Sequence, residues 1–526
     1  MDKGKNFSFE HILVKMDDDT EASCSGWFPT RVLDLAPPGS IESDGTTVKI
    51  ISRGQVVPDN RYVTLSHRWN RHIPKLTSWN PEDPPREIPV EALTKTFRDF
   101  ITVSRLLGFR YAWIDSPCII QKSDHGGSDW SQECLTMDLV YRNSFCNLSA
   151  AWPTNSGGFF LDRNVRQFDL PIERFLSPRV LHFCRNEVIF ECCQASKSER
   201  FRQSIPAIDE VAFEPFKNFD ENFVGTYDTA ACHRMWNRVP GIYNRCKLTY
   251  PDDKLVAVSG IARYLKTFLV DDVYVMGVWA SDINAQMLWV CGENTIRAHT
   301  VDCQNLGELE PLSEPAVQTV STPLRQCKGP NFSWVSTYKP VSFPIPFPEP
   351  TSTWNPVCEC TRLVKYREGQ VPFDDEPITE DILDYPGQPM VELKVAGLLR
   401  RVRLIDTGET YLSAVFLNEN DGRPGRDKPW WSRTYITVFL DFAVDPSEIP
   451  NIESRACFCI LWADAGHMSR FGDLLISIVL ELVDPEMGRF RRIGIMHHSW
   501  PIPGPVVNFP GWNYDPETQL HTIYII

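Results

Sequence analysis

The sequence predicts an α/β domain built on a parallel sheet, then a helical region, then a β-rich C-terminal domain. Three patterns predict this. Between 61 and 152 the chain reads strand, helix, strand, helix, strand, the order of a parallel α/β sheet. From about 196 to 290 the apolar spacing turns helical. From 391 to 526 short apolar runs recur between Gly, Pro and Asp, as in an antiparallel β domain.

The elements follow in order. Residues 1–26 are polar and acidic and read as a lead-in; "WFPTRVLDL" (27–35) and "TTVKIISRG" (46–54) read as β segments. "RYVTLSHRWN" (61–70) is a strand that runs into polar residues, and "PEDPPREIP" (81–89) is a loop. The spacing predicts a helix over 94–107, capped by Thr94 and stopped by Gly108. "RYAWIDSPCIIQ" (110–121) is the next strand, ending in Asp115, Ser116 and Pro117. A second helix falls near 129–142, with Trp130, Cys134, Met137 and Tyr141 on one face and Glu133 turned away toward solvent. "FCNLSAAW" (145–152) is a strand, and 179–193 is β-rich. "SFPIPFPEPTSTWNP" (342–356) carries five prolines and reads as a stiff linker. These readings divide the chain into a lead-in (1–55), an α/β domain (56–195), a helical region (196–330), a linker (331–357) and a β-rich domain (358–526).

Composition narrows the function classes. The chain has 526 residues and a net charge of −15, with no basic run of five. Binding to phosphate backbones needs clustered basic surface, so nucleic acid is not an expected partner. The longest apolar stretch, 474–483, is too short to cross a bilayer, and the opening residues lack an apolar leader. The 16 cysteines therefore read as reduced thiols in a cytoplasmic protein. Cys358/Cys360 and Cys457/Cys459 are C-x-C pairs, which alternate positions on strands explain better than zinc. His497 and His498 read as a surface pair, and no metal site is expected.

In open α/β sheets ligands sit at the carboxyl ends of the strands. Asp115 and Ser116 occupy one such end, and Ser66, Arg68 and Trp69 another. Asp115 reads either as a rim carboxylate or as a turn residue bonding the backbone beside it. Arg68 could meet a phosphate and Trp69 could stack a ring, or Trp69 packs at the rim. Nothing in the spacing joins Cys118 to His67, so thiol nucleophilic chemistry is not expected.

Several long blocks in order carry a family resemblance. "RYVTLSHRWN", "LTKTFRDFITVSRLLGFRYAWIDSPCIIQ", "DWSQECLTMDLVYRNSFCNLSAAW" with "SGGFF", and "ERFLSPRVLHF" resemble the fungal heterokaryon-incompatibility (HET) domain. Later segments, among them "RCKLTYPDDKLVAVSGIAR" and "VYVMGVWASDINAQMLWV", resemble the region that follows it in many fungal members. The resemblance implies a TIR-like fold and a role in fungal non-self recognition and cell death. Through TIR relatives it implies NAD as a substrate, with no resident cofactor. The catalytic carboxylate would then be Glu173. There the sequence departs from the family pattern. Asp169 stands where Trp is usual, Ile172 where Gln is usual, and Pro171 intervenes. "SHRWN" replaces Ser-Tyr-Cys-Trp-Gly, and Pro117 replaces Leu. The expectation is therefore an interaction or assembly module with protein partners or self-association. The alternative is an NAD-cleaving glycohydrolase using Glu173.

Overall fold

A computed structural model gives the architecture. It describes residues 27–36, 45–56, 61–67, 69, 73–78, 86–121, 128–150, 158–159, 176–184, 188–192, 196–198, 228–244, 254–291, 330–337, 341–343, 355–358, 360–366, 376–382, 390–406, 412–416, 437–441, 457–468, 472–498, 513–518 and 520–526. The chain divides into two compact units: Met1–Asp228 with Cys246–Phe268, and Thr229–Arg245 with Leu269–Ile526.

The first unit is organised by one sheet. Its strands are β1 (Arg31–Asp34), β2 (Thr47–Ser52), β3 (Tyr62–Ser66), β4 (Arg86–Pro89), β5 (Tyr111–Trp113), β6 (Cys146–Ser149), β7 (Arg179–Phe183), β8 (Val188–Cys192) and β9 (Ser196–Ser198). They lie in the order β4-β2-β1-β5-β3-β6-β7-β8-β9. Only the central four, β5, β3, β6 and β7, are parallel to one another. The flanking pairs are antiparallel, so the expected parallel sheet is a mixed one. The β segments of the lead-in supply one flank. Arg105 fastens them to the helix that follows, donating to the carbonyls of Leu35, Gly45 and Thr47. Arg110 adds a forked bond to Asp34.

The connections place helices on both faces. Between β3 and β5 runs α1 (Lys95–Leu106), with the Thr94 hydroxyl accepting from the Phe97 amide at its start. Gly108 follows at φ +83°, a left-handed position that glycine takes without strain. Phe97, Phe100, Ile101 and Val103 point into the core. Between β5 and β6 the predicted single helix is broken. α2 (Ser128–Glu133) and α3 (Met137–Arg142) are separated by a 3-10 turn at Cys134–Thr136. Trp113 meets Tyr141 of α3 edge to face, on the side of the sheet opposite to α1.

Among the described residues, the expected helical region mixes helices with short strands. The helices described there are α4 (Thr229–Trp236), α5 (Val239–Tyr243), α6 (Lys254–Lys266) and α7 (Ile283–Gln286). Short antiparallel pairs interrupt them: β10 (Tyr274–Val275) with β11 (Val278–Trp279), and β12 (Val290–Cys291) with β13 (Val341–Ser342).

The rest of the second unit is β-rich. Its strands are β14 (Asn355–Pro356), β15 (Cys360–Tyr366), β16 (Glu376–Pro377), β17 (Met390–Gly397), β18 (Leu399–Asp406), β19 (Leu412–Phe416), β20 (Thr437–Leu440), β21 (Cys457–Met468), β22 (Gly472–Asp484), β23 (Arg489–His498), β24 (Asn513–Asp515) and β25 (Leu520–Ile525). Pairing runs β18-β19-β20-β23-β22-β21 and back to β18, all antiparallel, so six strands close into a ring. Val402, Leu404, Val438, Cys457, Cys459, Val479, Ile493 and Met496 form one apolar cluster there. Cys457 and Cys459 share a face of β21, as a C-x-C pair on a strand must. His497 and His498 are buried, not at the surface, because strands pair with both edges of β23 and both its faces are covered.

Candidate functional site

The chain order locates a crevice. β3 connects through α1 to β5 on one side, while β5 connects across β3 to β6. Outgoing loops of the neighbours β5 and β3 therefore diverge to opposite faces. A doubly wound sheet binds ligands at such a switch point. The residues that follow β3 and β5 are the ones the sequence singled out.

On the α1 face the structure brings three of them together. The Trp69 indole N–H donates to Asp115 Oδ2. The Ser116 amide donates to Asp115 Oδ1 at 2.7 Å. His67 Nδ1 stands 3.9 Å from the same oxygen, its ring edge-on to Phe97. Burial lowers the His67 pKa, and nearby Asp115 offsets only part of this. The ring is thus neutral near pH 7. Asp115 is held by neutral donors and does work as a turn residue. Trp69 is half-buried against the core with Lys75 over its ring at 5.5 Å. Cys118 has no thiolate character, since burial pushes its thiol up to about 12.

Ser66 goes elsewhere. Strand alternation turns it to the α3 face, where its Oγ lies 2.9 Å from Asn147 Nδ2. Thr64 Oγ1 donates to Asn147 Oδ1 at 3.0 Å and lies near Ser144. Register continues this polar line. Ser66 is opposite Ser149, and Ser149 is opposite His182. His182 Nε2 lies 3.0 Å from Glu191 Oε2 on β8. All of these residues are buried, and the Ser149 and Ser116 hydroxyls have no hydrogen-bond partner among the described residues. Arg68 and Glu173, with Asp169, Pro171 and Ile172 around the latter, lie outside the described residues.

Sequence reasoning missed two sets. One is Asn147, Ser149, His182 and Glu191. Their signal was polar residues at alternate positions in apolar strands. The other is Arg31, buried, which donates to the Cys118 carbonyl at 2.7 Å and pairs with Asp129 at 2.6 Å and Glu133 at 3.4 Å. Asp129 in turn accepts from the Ile120 amide. This clamp holds the turn that carries Asp115. Glu133 is therefore a buried ion-pair member and not a solvated helix residue. Arg31, brought in from β1, supplies the partner that local helix spacing does not show. The "SGGFF" block is anchored too. The Phe159 amide donates to Asp99 at 2.8 Å, and its ring stacks on Phe183. Gly158 sits at φ +69°, where a Cβ would strike Asp99.

Among the described residues no group of three His, Cys, Asp or Glu side chains is placed to hold a metal ion, and no helix is long and apolar enough to cross a membrane. Neither curated proteins nor solved structures yield a match to this chain. Residues 62–197, from the start of β3 into β9 and so including both faces of the rim, match the family model for the Heterokaryon incompatibility protein (HET).

Proposed function

We propose that the chain acts in fungal heterokaryon incompatibility as an interaction or assembly module. Self-association or a protein partner triggers regulated cell death, in the cytoplasm and without nucleic acid. The HET match over 62–197 supports the role. The observation that carries the module over an enzyme is the commitment of Asp115. Its two oxygens accept from Trp69 and the Ser116 amide, so the rim carboxylate serves the fold. In this reading 56–195 is the HET domain.

A second reading is NAD cleavage with Glu173 as the carboxylate. The unpartnered hydroxyls of Ser116 and Ser149 at the rim favour it, because a buried hydroxyl without a partner costs about 1–3 kcal/mol that sheet formation does not require. Here Glu173 would stabilise positive charge on the ribose as nicotinamide leaves, and water would complete the hydrolysis.

Induction in a heterologous cell separates the two, beside Glu173→Ala at matched expression. Growth arrest by both proteins with NAD unchanged is the expected result. NAD loss with the wild type alone would overturn the module reading.

A further inference from the structure

One helix of the first unit comes from outside the matched residues 62–197. α6 belongs to that unit, yet the chain enters its segment from the second unit after Arg245 and returns to the second unit at Leu269. α6 packs on α3 and on the 3-10 turn at Cys134–Thr136.

The seam is polar and close. Arg263 Nη2 lies 3.0 Å from Oδ1 of Asp138, a buried carboxylate on α3. The next residue, Tyr264, holds the Arg142 guanidinium 4.4 Å from its ring centroid. A Cβ at Gly260 would come within 2.9 Å of the Asp138 Cβ. Glycine weakens a helix interior, and here it lets α6 lie directly against α3. A buried ion pair adds little stability over an apolar replacement. It does fix which residues must meet, and it gives way when either charge finds another partner.

The face under α6 is self-complementary. Asp138 and Arg142 stand one turn apart on α3, a carboxylate and a guanidinium on one side of the helix. Two such faces laid antiparallel about a two-fold axis set each Asp138 against the other copy's Arg142. α6 meets the same two groups with a guanidinium and an aromatic ring. We propose that α6 is an autoinhibitory strap over the α3 face, and that a second copy of this chain replaces it through reciprocal Asp138–Arg142 pairs when the strap is withdrawn. The proposal rests on the assembly reading above and names its partner and its regulation. The second unit is the source of withdrawal, because both ends of the α6 segment continue into it.

The test is the solution mass of the purified full chain, by light scattering after gel filtration. The wild type should be monomeric and Arg263→Ala dimeric. Adding Arg142→Asp to Arg263→Ala sets like charges against each other. It should weaken the dimer about a hundredfold, at roughly tenfold for each of two reciprocal pairs. Adding Asp138→Arg to those two changes puts opposite charges back in exchanged places and should restore the dimer. A monomeric Arg263→Ala protein, a wild type that is already dimeric, or Arg263→Ala association that ignores Arg142→Asp would each overturn the strap. Association through unfolding falls under the last outcome, since exchanging two charges on one helix would not reverse it. An Arg263→Ala protein that dimerises by these charges without arresting growth on induction would leave the strap standing and overturn the assembly reading. Growth arrest by the wild type with NAD unchanged, and no association that depends on Arg142, would do the reverse.

Discussion

The two units bury their most prominent polar groups differently, although both also hold unpartnered polar atoms, Ser149 in the first and His497 in the second among them. In the second, Arg492 of β23 is enclosed, yet each edge of its guanidinium is used. It donates to the carbonyls of Met287 and Trp289, pairs with Asp441 at 3.0 Å and stacks on the Trp289 ring at 3.6 Å. Ser477 likewise meets His498 at 2.9 Å. In the first unit, polar residues gather at the ends of the parallel strands, and two hydroxyls there are left over. Burial of polar groups by itself thus says little about function. A saturated buried charge fastens segments together.

The contrast can be broken most severely at Arg492. Arg492→Ala should cost about 3–5 kcal/mol, because Asp441 and two carbonyls lose their partner in the interior. Urea unfolding followed by a probe in the second unit would read this. A loss under 1 kcal/mol would mean the fastening role is wrong.

Acid offers the next lever on the same unit. Burial lowers the His497 pKa to about 4, with His498 adding to the effect, and neither ring nitrogen of His497 has a partner among the described residues. A histidine depressed on folding stabilises above its unfolded value of about 6.5. That stability drains as pH falls toward the folded value, by about 3 kcal/mol in all. The midpoint denaturant concentration should drop between pH 6.5 and 4 in the wild type and less in His497→Phe. Parallel pH curves for the two proteins would refute the assignment.

The smallest effect sharpens the comparison within the first unit. Asp115→Ala removes an acceptor used by Trp69 and the Ser116 amide and should cost about 1–3 kcal/mol. Ser149→Ala removes a hydroxyl that nothing satisfies, and its Tm should stay level or rise. A Tm loss for Ser149→Ala as large as that for Asp115→Ala would show that Ser149 is structural.

Local signals were legible where neighbours in sequence decide the outcome. Thr94 to Gly108 marked α1 because a cap, an amphipathic face and a glycine stop all act within one helix. "RYVTLS" and "RYAW" marked β3 and β5 by apolar content alone. The described rim candidates fall into two groups: Asp115 meets Trp69 and the Ser116 amide, while Ser66 meets Asn147. Ser66 and Asp115 face opposite sides of the sheet. Glu133 was misjudged because its partner, Arg31, lies on a distant strand that helix spacing cannot show.

By itself the sequence determined the alternation of strand and helix, the acidic charge and the blocks that match the HET family model. These depend on residue type and on spacing within a dozen positions. The tertiary structure alone decided what the polar residues do. Arg31 reaches Glu133 across 102 positions, and Thr64 reaches Asn147 across 83. Such partners are set by strand order and register. A one-residue slip in register would turn each side chain to the other face.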